Sequence, residues 1–519
     1  MTWNIGKIIS KRAQFTPKKI AFYFEDKPVT YKDLNEETNR FAHFLQSKGL
    51  KKGDRIAVDL ANCVQFLGIY LAAAKLGLIF VPLNCRLVSG ELEYQLTDSG
   101  ASLLVFHDIF TDTIDSVRET AKVDEDKYVW LKSGALGESK CPDWAVDYNS
   151  VVDGNTTTEP DLQQKIGLDD PLAIIYTSGV TGKPKGALLS HGQTYYKNFQ
   201  IMMYMDMRSD DMILSQLPLF HSGGLFIIAT PSLCCGASFI MRMKFDPEQF
   251  VQDLKKYQAT VIFALTTMWR FILKTKLLQK EDTENVRVVS GGGERTPSSL
   301  IEELADLGLM MQQGFGQTEN SAMMMLPKDD IMRKMGSVGL PGFFTDIWIE
   351  DGQGNKLPPG EIGEIVAMGP TVMSGYWNKP EETANTIVDG ILHTGDLGYT
   401  DEEGYFYIID RAKDMYRSGG ENVYPAEVEK VLVNHPKIEN ASIIGIPDEK
   451  WGETGKAFIV CIDQESITKE EIHEYLQGKV AKYKFPAYVE FVKELPMTAS
   501  GKIRKTLLKE KSLLQQPAC

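Results

Sequence analysis

The pattern of apolar and polar positions over the first 170 residues predicts helices and strands in alternation. Over 30–49 apolar residues recur at helical spacing, and a glycine at position 49 closes the segment. A second helix is predicted over 64–76. Short continuous apolar runs, which are typical of buried strands, occur at 55–60, 78–82, 101–106 and 172–176. Such alternation predicts α/β layers built on a largely parallel sheet.

The stretch 124–170 interrupts this alternation. It has no long hydrophobic period and contains a polar cluster at 155–159. We interpret it as a surface excursion that precedes the strand at 172–176. Beyond it the alternation resumes, with strands predicted at 212–217, 238–241, 260–264 and 286–290 and helices at 247–257 and 297–307.

After residue 336 the chain changes to short strands separated by turn residues, which predicts a β-rich subdomain. Strands are predicted at 346–350 and 363–368, and the residues 351–355 between them form a hairpin turn. We therefore expect an α/β protein. We expect residues 1–410 to form a large N-terminal domain of layered α/β sheets plus the β-rich subdomain, and residues 411–519 to form a small α+β C-terminal domain.

Composition and charge narrow the class of protein. The 519 residues carry a formal net charge of −14, which disfavours a nucleic-acid partner because such proteins normally have a basic face. The seven cysteines form no Cys-x-x-Cys pair, which is typical of free thiols in the cytoplasm. The most apolar stretch, 67–83, is interrupted by Lys75 and is too short to span a bilayer. We expect a cytoplasmic protein without a transmembrane segment, and a homodimer is one option for its assembly.

A loop rich in glycine, hydroxyl and lysine residues follows the apolar run at 172–176. Glycines let backbone N–H groups approach an anion, hydroxyls donate further hydrogen bonds, and lysines supply positive charge. The loop therefore predicts a phosphate-binding site, with a mobile surface turn as the alternative. It is not the P-loop of nucleoside triphosphatases, because Pro184 follows Gly182 and Lys183 where Ser or Thr is required.

Residues 176–186 resemble the signature loop of the adenylate-forming superfamily, which holds acyl-CoA synthetases, peptide-synthetase adenylation domains and firefly luciferase. Residues 315–319, Phe-Gly-Gln-Thr-Glu, resemble its aromatic-Gly-x-Thr-Glu motif. Residues 500–505, Ser-Gly-Lys-Ile-Arg-Lys, resemble its C-terminal signature. The resemblance covers nearly the whole chain. It implies ATP, Mg²⁺ and coenzyme A, and it implies a large N-terminal domain followed by a mobile cap.

The resemblance also implies roles for individual residues. Phe315 would stack on adenine, Thr318 would hold a phosphate, and Glu319 would bind Mg²⁺. Asp396 and Arg411 would contact the ribose. Further contacts with the nucleotide or with CoA are implied at Thr177, Ser178, Gly179, Thr181, Gly182, Lys183, Lys185, Gly292, Gly293, Glu294, Gly314, Gly316, Gly419 and Gly420.

Three more positions bear on the reaction by the same resemblance. Lys413 would be the hinge between the two domains, and Lys502 would bridge the acid's carboxylate and the α-phosphate. His221 would border the acyl pocket. It stands where peptide-synthetase domains have an aspartate that captures an amino group, so an α-amino acid substrate is not expected.

The function that the resemblance implies is an ATP-dependent acid–CoA ligase. It would convert a carboxylic acid and ATP to acyl-AMP and pyrophosphate, and CoA would then displace AMP. The alternatives are an adenylating enzyme that loads a carrier protein, and a nucleotide sensor without turnover. By resemblance the acyl pocket is walled by 220–226, 266–269, 291–293 and 321–325, which are rich in apolar residues and methionine. We expect an apolar monocarboxylic acid, first a medium-chain fatty acid and next an aryl or alicyclic acid.

Overall fold

The structure is a computed structural model that describes residues 3–162, 164–177, 184–293, 296–418, 421–448, 451–462, 465–498 and 502–514. The chain forms two compact units. The larger unit comprises Met1–Met335, Gly339–Ile347 and Ala367–Leu392, and the smaller unit comprises Gly336–Val338, Trp348–Val366 and His393–Cys519.

The helices number fifteen among the described residues. They are α1 (Lys7–Phe15), α2 (Tyr31–Ser47), α3 (Val64–Leu76), α4 (Ser89–Ser99), α5 (Thr111–Val117), α6 (Tyr148–Asp153), α7 (His191–Tyr204), α8 (Thr230–Cys235), α9 (Pro247–Tyr257), α10 (Thr266–Lys274), α11 (Ser298–Asp306), α12 (Pro380–Thr386), α13 (Pro425–Leu432), α14 (Lys469–Leu476) and α15 (Lys505–Leu514). No helix in this described part of the chain is long and apolar enough to cross a bilayer.

The described strands, in chain order, fall into four sheets. They are β1 (Ile20–Phe24), β2 (Lys27–Thr30), β3 (Arg55–Asp59), β4 (Ile79–Pro82), β5 (Leu103–His107), β6 (Tyr128–Leu131), β7 (Val146–Asp147), β8 (Pro171–Thr177), β9 (Lys185–Ser190), β10 (Met212–Leu214), β11 (Ser238–Met241), β12 (Val261–Phe263), β13 (Val288–Gly291), β14 (Met311–Gln317), β15 (Ser321–Met325), β16 (Leu340–Pro341), β17 (Asp346–Glu350), β18 (Gly363–Met368), β19 (Gly375–Tyr376), β20 (Ile387–Val388), β21 (Ile391–Thr400), β22 (Phe406–Arg411), β23 (Tyr416–Ser418), β24 (Glu421–Val423), β25 (Ile438–Asp448), β26 (Gly452–Cys461) and β27 (Tyr488–Phe491).

Two sheets form the frame of the larger unit. One has nine strands in the order β16-β15-β14-β13-β12-β10-β11-β1-β2, and the other has eight in the order β19-β9-β8-β4-β3-β5-β6-β7. The inner pairs, such as β12–β13 and β3–β4, are parallel, whereas β8–β9 and β14–β15 are antiparallel. The predicted α/β class with a largely parallel sheet is therefore confirmed.

Helices α2 and α3 show why these segments fold as predicted. Thr30 caps α2 in a capping box with Asp33, and Gly49 lies in the left-handed region with φ of 75°. Apart from Gln65 and Lys75, helix α3 is apolar on all sides, and its residues from Phe66 to Leu76 are buried. It lies in one continuous core cluster to which residues of both sheets contribute.

The interpretation of 124–170 as a surface excursion is wrong. The segment contributes β6, β7 and α6, and β6 pairs in parallel with β5. Tyr128 and Trp130 are buried in a second core cluster, and the Trp144 ring stacks on Phe106 with 5.5 Å between the ring centroids. A four-residue strand carries too short a pattern to show a period, and its burial depends on partners more than 20 residues away in the sequence.

The smaller unit contains a β-rich part and an α+β part. In the first, β17, β18 and β21 lie side by side and β22 pairs with β21. The predicted turn at 351–355 is confirmed, since the Asp351 carboxylate accepts from the backbone N–H groups of Gln353 and Asn355. In the second, the sheet order is β24-β23-β26-β25, with β27 parallel to β26.

Candidate active site

The ends of the glycine-rich loop are fixed by the antiparallel pair β8–β9. Thr177 is paired with Lys185, and the Thr177 hydroxyl donates to the Lys185 carbonyl at 3.4 Å. The Pro184 carbonyl accepts from the Tyr94 hydroxyl at 3.1 Å. The predicted site residues that lie outside the described part of the chain are Ser178, Gly179, Thr181, Gly182, Lys183, Glu294, Gly419 and Gly420.

Tyr376 connects the carboxylate of Glu319 to the β8–β9 hairpin. Tyr376 belongs to β19 and pairs with Ala187 of β9. Its hydroxyl donates to Glu319 Oε1 at 2.9 Å, and Lys185 Nζ lies 5.2 Å from the centre of its ring. One tyrosine thus connects the predicted phosphate lysine with the predicted metal ligand, and the sequence analysis missed it.

The backbone around Glu319 is held by neighbouring elements. The Glu319 carbonyl accepts from the Met373 backbone N–H at 2.7 Å and from Gln193 Nε2 at 3.4 Å. The same Gln193 amide donates to the Thr371 carbonyl at 2.8 Å. These contacts fix the turn between β14 and β15, which carries the Thr-Glu pair of the predicted motif.

The segment that begins at His221 reaches the same turn. The Ser222 and Thr318 hydroxyl oxygens are 3.5 Å apart, and both side chains are half-buried. A π-helical segment, Gly223–Ala229, follows directly. Gly224 must be a glycine, because a Cβ there would collide with the Pro218 carbonyl oxygen. The structure therefore places two predicted site regions, one at His221 and one at Thr318, side by side.

Lys197 of α7 is a second residue that the sequence analysis missed. Its side chain is buried, with 2% of the residue exposed. Within the described residues its ammonium makes one hydrogen bond, a 3.5 Å contact to the Thr318 carbonyl. Burial lowers the pKa of Lys197 to about 7, although the Glu319 carboxylate acts in the opposite direction. A buried cation therefore lies directly behind the Thr-Glu pair.

We expect the Lys197→Met variant to melt at a higher temperature than the wild type below about pH 7. The unfolded lysine binds its proton up to a pH of about 10, whereas the buried one loses it near pH 7. Wild-type stability should therefore rise as the pH goes from about 7 to about 10, and the advantage of the variant should shrink across that window.

Thermal unfolding of Lys197→Met from about pH 6 to about pH 9 measures this difference. Lys197→Arg is the matched control: arginine cannot release its proton, so that variant should melt below the wild type at every pH. A lower melting temperature for Lys197→Met at about pH 6 would contradict the assignment of a buried, poorly paired charge.

Close backbone approach explains the predicted nucleotide glycines at the ends of β13 and β14. A Cβ at Gly292 would lie 2.8 Å from the Gly314 carbonyl oxygen, which is too close for any other residue. Gly293 has φ of 87°, in the region that favours glycine. Phe315 follows on β14 with a half-buried side chain. The glycines therefore allow the ends of β13 and β14 to approach each other closely, and Phe315 places an aromatic ring on the strand that follows.

In the smaller unit, the two predicted ribose residues are brought together. Asp396 of β21 and Arg411 of β22 are cross-strand partners, and Arg411 Nε lies 3.3 Å from Asp396 Oδ1. Asp396 is buried, with 4% of the residue exposed. The guanidinium holds the carboxylate in a fixed direction, which suits an acceptor for two hydroxyl groups.

The predicted hinge lies in a turn of the same unit, and the predicted catalytic lysine lies next to the antiparallel bridge between Met497 and Ile503. Lys413 is in a turn closed by a hydrogen bond from the Asp414 N–H to the Arg411 carbonyl at 3.0 Å. Lys502 is exposed, and its backbone exchanges two hydrogen bonds with Thr498: Lys502 N–H donates to the hydroxyl at 3.0 Å, and its carbonyl accepts from the Thr498 N–H at 2.6 Å.

The donor atoms near Glu319 fit a magnesium ion that also takes ligands from a substrate. Among the described residues no group of three or more His, Cys, Asp or Glu side chains forms a metal cluster. Mg²⁺ is commonly held by one or two carboxylates together with substrate phosphates and water. Glu319 Oε1 is oriented by Tyr376, and the carboxylate is half-buried rather than sealed from solvent. A single oriented carboxylate of this kind fits such an ion.

Comparison with known proteins gives a consistent result. The model of the AMP-binding enzyme family matches residues 9–377, and that of the AMP-binding enzyme C-terminal domain matches residues 427–502. The chain belongs to the AMP-binding enzyme family.

Several members of the family are similar to it along their whole length. A feruloyl-CoA synthase of an Amycolatopsis species is 37% identical over 503 residues, which cover 97% of this chain and 98% of that protein. A long-chain-fatty-acid–CoA ligase of Mycobacterium tuberculosis is 34% identical over 510 residues, 98% of each chain. The solved o-succinylbenzoate CoA synthetase of Bacillus subtilis, in complex with its acyl-adenylate intermediate, superposes with a TM-score of 0.86 at 32% identity and covers 97% of both chains.

This AMP-binding enzyme is an acid–CoA ligase of the AMP-forming type. ATP and CoA are its co-substrates, and Mg²⁺ is the metal that such ligases use. The predicted superfamily, enzyme class and cofactors are therefore confirmed. The role of each site residue stays a prediction.

Proposed function

We propose that this ligase activates an apolar monocarboxylic acid, first a medium-chain fatty acid and next an aryl or alicyclic acid. The observation that carries the proposal is the lining of the predicted acyl pocket. Seven large apolar side chains of its segments are each 6% exposed or less: Leu225, Phe226, Met268, Trp269, Met323, Met324 and Met325. Methionine adapts its shape to irregular apolar space, which suits an alkyl chain or a ring.

The charges of these segments support the same substrate class. Apart from His221, the four segments contain no ionisable side chain, and Arg270, which follows the second of them, is exposed. An acid with a second carboxylate or an amine would have to bury that charge without a partner on these segments. The free-energy cost of such burial would exclude it.

The reaction follows from the roles that we assign. Phe315 stacks on adenine, Thr318 and the glycine-rich loop hold phosphate oxygens, and Asp396 with Arg411 orients the ribose. Lys502 places its ammonium between the carboxylate and the α-phosphate, where negative charge accumulates as the carboxylate oxygen attacks phosphorus and pyrophosphate leaves. Bound at Glu319, Mg²⁺ would neutralise phosphate charge. The thiol of CoA then attacks the acyl carbon and releases AMP.

The second half-reaction involves the C-terminal domain. We propose that residues 411–519 form a cap that changes orientation about Lys413 between the two steps, and that Gly419 and Gly420 let the pantetheine arm pass close to the backbone. A hinge must absorb a large change in φ and ψ, and a turn residue outside any strand can do so.

A specific observation favours an aryl acid as the second candidate. Trp269 Nε1 and Ser321 Oγ are buried and have no hydrogen-bond partner among the described residues. A hydroxyl or methoxy group on an aromatic ring could satisfy such atoms, whereas an alkyl chain could not. Ferulate, the acid named for the Amycolatopsis relative, carries both groups on its ring.

The test is the relative kcat/KM for octanoate, benzoate, ferulate, adipate and phenylalanine, measured as acid-dependent AMP formation with CoA. We expect octanoate to be preferred, with benzoate or ferulate next, and both adipate and phenylalanine to be lower by roughly 100-fold or more, as for an unpaired buried charge. A preference for phenylalanine would contradict the proposal. A preference for adipate would contradict it too.

We also propose a cytoplasmic location and leave a homodimer as one option for assembly. The six cysteines that the structure describes are all free thiols, which supports a reducing compartment.

A further inference from the structure

The lysine proposed to act in adenylation is carried by a small hairpin of the smaller unit. Thr498 and Lys502 exchange two backbone-anchored hydrogen bonds, and Met497 forms an antiparallel bridge with Ile503. The Arg504 N–H closes the hairpin by donating to the Pro496 carbonyl at 2.7 Å. The direction in which Lys502 points therefore depends on how the base of this hairpin is held.

The base of the hairpin runs directly into helix α15, whose first residue is Lys505. Lys505 Nζ lies 2.8 Å from Glu429 Oε1 of α13, and the two side chains are only 14% and 16% exposed. Glu429 Oε1 also accepts from the Ile443 N–H of β25 at 2.5 Å. Through Glu429, this ion pair thus fixes the start of α15 to helix α13 and to strand β25.

The same helix contacts the proposed hinge. Burial opposes the charge of Lys505, but the carboxylates of Glu429, Asp410 and Asp414 outweigh it and raise the pKa of Lys505 above its ordinary value. Asp410 is itself held by the backbone N–H groups of Arg411 and Ala426. One turn further along α15, Lys509 Nζ lies 3.5 Å from the Lys413 carbonyl.

We propose that Lys505 is a positioning residue for Lys502: paired with Glu429, it locks the base of the two hairpin arms, 496–498 and 502–504, and so sets the place of the Lys502 ammonium in the adenylation step. The inference rests on the proposed role of Lys502. An ion pair that is largely buried is a poor source of stability, because removing two charges from water offsets most of their attraction. The presence of the Lys505–Glu429 pair is better explained by the fixed geometry that it gives to the chain three residues from Lys502.

The decisive variant is the double substitution Lys505→Met with Glu429→Gln, since the single Lys505→Met would leave a buried charge unpaired and could fail to fold. We expect the double variant to fold and to form acyl-AMP with a kcat lowered by roughly 10- to 100-fold, as a displacement of about 1 Å can cause. KM for ATP and for the acid should change little. Conversion of supplied acyl-AMP and CoA should stay within about threefold of the wild type, because Lys502 has no role in it.

Two further variants separate positioning from a purely structural role. Lys505→Arg keeps the charge and should restore most of the adenylation rate. Lys484→Met removes a matched ion pair of the same unit, in which Lys484 Nζ lies 2.7 Å from Glu427 of α13, one turn or less from Glu429. It should lower the melting temperature and leave the ratio of the two half-reactions unchanged.

The outcomes distinguish this inference from the proposed function when Lys502→Ala is assayed in parallel. If Lys502→Ala slows adenylation and the double variant does not, the inference about Lys505 is overturned and the role of Lys502 stands. Equal losses in both half-reactions of the double variant would overturn it as well. If Lys502→Ala leaves adenylation intact, the proposed role of Lys502 fails and this inference fails with it.

Discussion

Replacing Lys502 by alanine should slow the formation of acyl-AMP by about 10²- to 10³-fold, the effect typical of removing one preorganised group that stabilises developing charge. The Lys502 backbone is already ordered for this role, because Thr498 holds both its N–H and its carbonyl, while the side chain extends from the hairpin with high exposure. Only the side chain must be ordered when substrates bind, so little free energy is lost in placing the charge.

The measurement is single-turnover formation of acyl-AMP and pyrophosphate without CoA, beside the conversion of supplied acyl-AMP to acyl-CoA. The second rate should remain close to that of the wild type. Lys493→Ala is the matched control, since Lys493 is an exposed lysine shortly before the same hairpin and should affect neither rate. Equal loss of both rates in Lys502→Ala would show that the residue serves folding or general binding instead.

Replacing Lys413 by proline should have the second large effect, on the other half-reaction. Proline fixes φ near roughly −65°, so it prevents the change in backbone angle that the proposed hinge requires. We expect adenylation to survive and thioester formation to fall by roughly 100-fold, which corresponds to a competent state reduced to about 1% of the population.

Position 413 is the third residue of the turn 411–414, so proline there constrains that turn as well as the proposed hinge. Within the described residues the Lys413 N–H donates no hydrogen bond, so proline removes none, whereas the Ala412 N–H donates to the Gly395 carbonyl at 3.0 Å. Lys413→Ala is the control, because it removes the side chain and leaves φ free. It should carry out both half-reactions at nearly wild-type rates. Normal thioester formation by Lys413→Pro would place the pivot elsewhere.

The sequence predicted those parts of the fold that have long or strongly patterned elements. Helices α3 and α9 and strands β11, β17 and β18 have the predicted bounds, because their apolar residues or turn punctuation are local features. Strands β6 and β7 were missed, since four or two residues carry no period: β6 is buried beside β5, and β7 is recognisable only by its pairing with β6.

Site residues that belong to a linear motif could be predicted from the sequence. Residues that only the tertiary structure brings to the site could not. The motif around Thr318 and Glu319 and the Asp396–Arg411 pair are visible as short strings or as a resemblance. Tyr376 reaches Glu319 across 57 residues of sequence and Lys197 reaches Thr318 across 121. A lysine in an amphipathic helix looks like a solvated charge until the packing of the helix is known.

The central claim is that one chain performs two half-reactions with different residues. The most direct test measures both half-reactions for the wild type, Lys502→Ala and Lys413→Pro in one experiment with the preferred acid. We predict a crossed pattern, in which Lys502→Ala loses acyl-AMP formation and keeps thioester formation while Lys413→Pro does the reverse. Parallel losses of both rates in the two variants would contradict the account.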